Sequence, residues 1–123
     1  MVERGARHWP VEIRLKDRGH VLSVAFDDGR DFSLAAEYLR ISSPSAEVQG
    51  HSPTERRIVA GKIDVAISEV IPVGNYAVRL VFDDRHQTGI FTWDYLYELG
   101  DRREANWASY LSELAARKLQ RES

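Results

Sequence analysis

The chain of 123 residues contains no cysteine. Disulfides, thiolate metal sites, Fe–S ligation and cysteine nucleophiles are therefore excluded. No apolar run approaches the ~20 residues that a bilayer-spanning helix requires. Residues 1–10 lack the apolar core of a signal peptide. Because neither a membrane span nor an export signal is found, we expect a cytoplasmic protein.

The chain also lacks a large excess of either positive or negative charge. The chain has 17 basic and 19 acidic residues and a net charge of −2. A nucleic-acid binder usually has a basic excess, and a membrane-surface protein usually has a polybasic patch. We therefore expect neither nucleic acid nor a membrane as partner. The length suits one domain, and we place it at residues 1–123 with its core at about 11–114.

Alternating apolar and polar residues predict strands in two parts of the chain, because successive side chains of a strand point to opposite faces. Turn residues such as Asp28-Gly29 and Gly74-Asn75 separate them. The predicted strands are residues 11–16, 22–26, 30–33, 63–70, 76–82 and 87–91. The run from Pro72 to Asn75 is predicted as the turn between the fourth and fifth strands.

Helical spacing of apolar residues predicts helices over 34–41 and 92–99 and a C-terminal helix with Trp107, Leu111 and Leu114 on one face. Gly100 is expected to end the second helix. Asp101 and Glu104 form the pattern of a capping box for the last helix. Residues 42–61 have no sustained period, and long irregular segments of this kind are often functional.

The chain contains an internal repeat. The sequence VAFDD at 24–28 is followed by Tyr38-Leu39, and LVFDD at 80–84 is followed by Tyr95-Leu96. Each copy has the order strand, acidic turn, return strand, helix. We therefore predict an α+β fold with small antiparallel β-sheets from a duplicated strand–hairpin–strand–helix unit, plus a C-terminal helix.

No catalytic or cofactor motif is found. The chain has no nucleophile elbow, P-loop or dinucleotide fingerprint. The run Asp27-Asp28-Gly29 lacks the twelve-residue calcium pattern and is interpreted as a hairpin turn. We expect no enzyme activity and no cofactor. A metal site is conceivable only if the long segment brings His51 to His86 and the nearby carboxylates.

Two runs resemble a known family: LRISSPSAEVQGH (39–51) and VGNYAVRLVFDDRHQTGIFTWDYLYELG (73–100). They are similar to the γ-butyrobetaine hydroxylase-like N-terminal domain, a former domain of unknown function, in its short stand-alone bacterial branch. The resemblance implies three contexts. These are the N-terminal domain of iron- and 2-oxoglutarate-dependent carnitine-pathway dioxygenases, an appendage on P-loop Fe–S cluster carriers, and a free-standing protein.

In the dioxygenases, the resemblance implies a structural zinc held by three cysteines and a histidine. Those positions correspond to Ser43, Ser45, Val48 and His86 here. Neutral serine and valine cannot replace thiolates, so we expect the zinc site to be lost. The dioxygenase catalytic domain is absent from this sequence, and hydroxylase activity is not carried over.

The sequence and the resemblance lead to one candidate binding surface on the long segment and the second hairpin. Its residues are Arg40, Glu47, Gln49, His51, Asn75, Tyr76, His86 and Trp93. We predict a non-catalytic accessory or protein-interaction domain, linked to iron or Fe–S proteins. The partner is expected to be another protein, with a homodimer as a further candidate. The alternatives are a metal- or small-ligand-binding protein that uses His51 and His86, and a 43–51 loop that only replaces the zinc knuckle.

Overall fold

The computed structural model describes residues 7–45 and 58–122. The strands are β1 (Pro10–Lys16), β2 (Val21–Phe26), β3 (Asp31–Ala35), β4 (Ile67–Val73), β5 (Ala77–Phe82) and β6 (Ile90–Thr92). The helices are α1 (Ala36–Ile41), α2 (Trp93–Asp101) and α3 (Arg103–Ala116), and a 3-10 turn, Asp17–Gly19, joins β1 to β2. Within these ranges no helix is both long and apolar enough to cross a bilayer.

The strands form two antiparallel three-stranded sheets, in the orders β1-β2-β3 and β4-β5-β6. The central strands β2 and β5 bury alternate side chains, as their sequence pattern predicts: Leu22, Val24 and Phe26 in β2, and Leu80 and Phe82 in β5. These side chains join one contiguous core with apolar residues of all three helices. Burial of each large apolar side chain stabilises the fold by about 1.5–3 kcal/mol. The predicted α+β class is confirmed.

The two halves repeat each other at the level of single hydrogen bonds. In the first hairpin the Phe26 N–H donates to the Arg30 carbonyl at 2.8 Å, and in the second the Phe82 N–H donates to the His86 carbonyl at 2.9 Å. The first strand of each half carries a β-bulge at the same place, with Val11 as the extra residue in β1 and Ser68 in β4. The repeat in the sequence is thus also a repeat in backbone geometry.

Each half uses its helix to hold the hairpin turn of the other half. Arg40 of α1 donates to Asp84 in the second turn, and Tyr97 of α2 donates to Asp28 in the first turn. The hydroxyl of Tyr38 in α1 also donates to a carbonyl of α2 at 2.6 Å. Because these contacts cross between the halves, neither half completes its packing alone.

The predicted fourth strand was placed too early in the chain. It was expected over 63–70, but β4 is Ile67–Val73. The amide groups of Gly61 and Ile63 instead donate to carbonyls of Gln120 and Arg121 in the C-terminal tail, which draws this segment away from the sheet. Pro72 was expected in a turn and lies in β4. This is tolerated because β4 is an edge strand, where a missing N–H interrupts no ladder.

The prediction that Gly100 ends α2 was wrong, since the helix continues to Asp101. Gly100 allows α2 to pack closely against β3, since a Cβ added there would lie 2.4 Å from Cγ of Phe32. The start of α2 is capped by Thr92, whose hydroxyl accepts the Tyr95 N–H at 3.2 Å.

The expected cap of α3 was wrong, and its expected buried face was wrong at one residue, Leu111. The helix begins after Arg102 without a side-chain cap, and Asp101 accepts a hydrogen bond from Arg30 at 2.9 Å instead. Tyr110 and Leu114 are the buried residues of α3, whereas Leu111 is 41% exposed. Trp107 packs against the core as predicted, and the hydroxyl of the flanking residue Tyr110 donates to the Val59 carbonyl at 2.7 Å.

Candidate binding surfaces

The candidate surface from the sequence divides into three groups of residues. Glu47, Gln49 and His51 lie outside the described residues. Arg40 and His86 lie together beside the turn between β5 and β6, whereas Asn75, Tyr76 and Trp93 lie where the β4–β5 hairpin meets α2. The binding role of these residues stays a prediction.

A largely buried ion cluster surrounds Asp84. Its Oδ2 atom accepts from Arg40 Nε at 2.8 Å and from Lys62 Nζ at 2.7 Å. Its Oδ1 atom accepts the His86 N–H at 3.1 Å, which shapes the turn. Burial alone would raise the pKa of Asp84, but the hydrogen bonds from Lys62, Arg40 and the His86 amide outweigh it and lower the pKa to about 2. This cluster ties α1 to the second hairpin.

Ser43 and His86, two of the positions that correspond to zinc ligands in the dioxygenases, are brought together. Ser43 Oγ and His86 Nε2 form a hydrogen bond of 2.9 Å, and Ser45 Oγ and Thr88 Oγ1 form one of 2.6 Å. A zinc ion requires thiolate, imidazole or carboxylate ligands, and these two hydrogen bonds join one imidazole and three neutral hydroxyl groups. The thiolates of the dioxygenase site are missing because the chain has no cysteine, and the described residues contain no cluster of three metal-ligating side chains.

Trp93 and Asn75 join the β4–β5 hairpin to α2. The Trp93 indole N–H donates to the Asn75 carbonyl at 2.8 Å, and its backbone N–H donates to the Tyr76 carbonyl at 3.3 Å. Trp93 is largely buried, whereas the Tyr76 side chain is half-exposed. Trp93 and Tyr76 both belong to the surface predicted from the sequence, and Trp93 also lines the groove described next.

An open apolar groove lies between the two sheets, with β1 as one wall and β4 as the other. Its volume is about 760 Å³, and it is shallow and open to solvent. Its apolar lining includes Val11, Ile13, Leu15, Val70, Pro72 and Trp93. Val11 is 68% and Leu15 is 39% exposed.

Two carboxylates, Glu12 and Glu69, also border the groove. The alternation in 11–15 had predicted a half-buried strand, but no element of the described chain covers this side of it. The sequence signal for the groove was therefore present in β1, although its meaning depended on where β4 lies.

Comparison with known proteins decides the family. The sequence model of the family described as "Gamma-butyrobetaine hydroxylase-like, N-terminal" matches residues 13–97. The chain belongs to the gamma-butyrobetaine hydroxylase-like N-terminal family. No curated protein matches it.

Solved structures of similar proteins agree with this family and its fold. An NMR solution structure with 44% identity matches over 94% of this chain and 90% of its own, with a TM-score of 0.80. Another NMR solution structure, 41% identical, matches over 98% of this chain and 90% of its own, with a TM-score of 0.81. A crystal structure from Acidithiobacillus ferrooxidans is of a protein with unknown function of the DUF971 family. It is 44% identical over 74% of this chain and 91% of its own, with a TM-score of 0.62.

Proposed function

We propose that this gamma-butyrobetaine hydroxylase-like N-terminal domain is a non-catalytic accessory domain that binds another protein through the β1–β4 groove. The observation that carries the proposal is the groove itself. It places exposed apolar side chains of β1 opposite β4 and Trp93, and exposed apolar patches of small domains commonly mark interaction sites.

The arrangement of polar side chains favours binding over catalysis. Ser43 and His86 lie within the distance of a nucleophile and its base. Both side chains are buried, however, so a substrate has no direct access to the hydroxyl. Their hydrogen bond links the segment after α1 to the second hairpin, which supports a structural role for the pair.

The finer parts of the proposal rest on the resemblance. We propose an iron or Fe–S protein of the cytoplasm as the partner, since related domains are appended to Fe–S carriers and to iron-dependent dioxygenases. The alternative function is metal or small-ligand binding by His51 and His86. His51 lies outside the described residues, and within the described ranges no three metal-ligating side chains cluster together.

The test is affinity capture of the tagged protein from its native cytoplasm under mild crosslinking, read by mass spectrometry. Leu15→Glu places a charge in the groove, and Leu111→Glu places the same charge at a matched, equally exposed position on α3. We expect a partner that Leu111→Glu retains and Leu15→Glu loses, with both variants folded by circular dichroism. An empty list, or one that Leu15→Glu leaves unchanged, contradicts the proposal.

A further inference from the structure

We propose that the groove takes an extended, apolar and basic peptide segment of the partner, which adds as a strand to the open edge of β1. This inference rests on the proposed function and specifies its binding mode and the chemistry of the partner.

Both walls of the groove are sheet edges. Among the described strands, β1 pairs only with β2, and β4 pairs only with β5. The outer backbone N–H and C=O groups of an edge strand are a template for a further strand. Strand addition to such an edge takes its affinity from main-chain hydrogen bonds and its specificity from pockets for alternate side chains. A groove with an open strand edge on each side and an apolar lining offers both main-chain hydrogen bonds and contacts for alternate side chains.

The prolines favour β1 over β4 as the edge that pairs. Pro72 lies inside β4 and has no N–H to donate. The proline of β1 is its first residue, Pro10, and the bulge at Val11 follows it directly. From Glu12 to Lys16 the strand is regular, with every residue in register with β2. Five residues of strand extend ~17 Å, which suits a short linear segment.

The side chains that line the groove indicate which side chains the bound segment needs. Ile13 and Leu15 lie two residues apart in β1, so they present apolar surface on the same face, and Val70 lies across the groove in β4. The added strand therefore needs apolar residues at alternate positions. Because β4 forms the opposite wall, the space suits a single strand better than the edge of a second folded sheet.

The charges at the groove favour a basic segment. Glu12 already pairs with Arg14 at 2.8 Å, whereas Glu69 has no ion-pair partner among the described residues. Glu69 borders the groove and is exposed. A lysine or arginine of the segment next to Glu69 gives it a partner of opposite charge, and complementary charges at an interface select the partner and its register.

The test uses a displayed library of short random peptides, selected on the wild-type protein and counter-selected on Leu15→Glu. We expect enriched peptides with alternate apolar residues and at least one lysine or arginine. For the best peptide, hydrogen exchange should show protection of amides in β1. Glu69→Gln should weaken its binding about tenfold in fluorescence anisotropy, and Leu111→Glu should leave it unchanged.

The decisive control is the same peptide with alternate backbone amides N-methylated, which removes main-chain donors and keeps the side chains. Loss of binding supports strand addition; retained binding overturns it. Failure to enrich any peptide, protection away from β1, or a dimer that buries the groove also overturns it. If capture from the cytoplasm still depends on Leu15 while these results are negative, the proposed function stands and only the binding mode fails.

Discussion

Replacing Asp84 with asparagine tests whether the buried ion cluster contributes to stability as its geometry indicates. The pKa of Asp84 in the folded protein is about 2, against an ordinary value of 3.8. Because the folded value is the lower one, the ionised carboxylate stabilises the fold above about pH 4, and this contribution is lost as the pH falls toward 2. At about 1.36 kcal/mol for each pH unit, the difference corresponds to about 2 kcal/mol.

At neutral pH, Asp84→Asn also lowers the free energy of unfolding because two cations remain without their partner. Arg40 and Lys62 both lose their carboxylate partner. Breaking a fully buried ion pair costs about 3–5 kcal/mol. These side chains keep some contact with solvent, so we expect a loss of about 2–3 kcal/mol at pH 7. The deficit relative to wild type should shrink by about 2 kcal/mol between about pH 5 and pH 2.

Urea denaturation followed by tryptophan fluorescence, repeated across this pH range, measures both effects. Asp64→Asn is the matched control, since Asp64 is exposed and lies in the turn before β4. It should change the free energy of unfolding by less than about 0.5 kcal/mol at any pH. If Asp84→Asn and wild type gave parallel curves of stability against pH, the reasoning about the ion cluster would be refuted.

Three further outcomes are expected. Gly100→Ala should destabilise the protein by about 1–3 kcal/mol in thermal melts, because its Cβ meets the Phe32 ring, and Phe32→Leu should restore part of the loss. Burial, and next the charge of Glu37, raise the pKa of Tyr110 to about 12. The stability contributed by its hydroxyl should therefore persist to pH 10 and be lost between pH 10 and 12, a loss absent in alkaline denaturation of Tyr110→Phe. Arg121→Ala removes the bonds of 2.9 and 2.8 Å to the buried Glu37 carboxylate and should cost about 2–3 kcal/mol in urea, with Arg121→Lys in between.

Much of the fold could be predicted because its elements have strong local patterns. The alternation in 22–26 and 76–82 reports the buried faces of β2 and β5, and the paired acidic residues report the hairpin turns. The start of β4 could not be predicted, since the amides of Gly61 and Ile63 bond to the C-terminal tail, far along the chain. Local periodicity contains no information about such partners.

The candidate site was predictable only in part. Arg40 and His86 were marked from the sequence, and the structure places both in the interior between α1 and the second hairpin. The groove was not predicted, because the apolar alternation of β1 looks the same whether another element covers it or not. That difference depends on the position of β4, which belongs to the other repeat.

The amino-acid sequence was sufficient for the α+β class and the hairpin turns, which depend on patterns within a few positions. It was also sufficient for the duplication, which is a match between two such patterns, and for the lack of thiolate ligands, since the chain has no cysteine. The tertiary structure was needed to show that each repeat's helix bonds to the hairpin turn of the other repeat. It was also needed to show why Gly100 must lack a side chain and which apolar residues of β1 stay exposed. These features depend on the placement of one repeat against the other. Contacts between residues distant in the chain set that placement, and no local pattern encodes it.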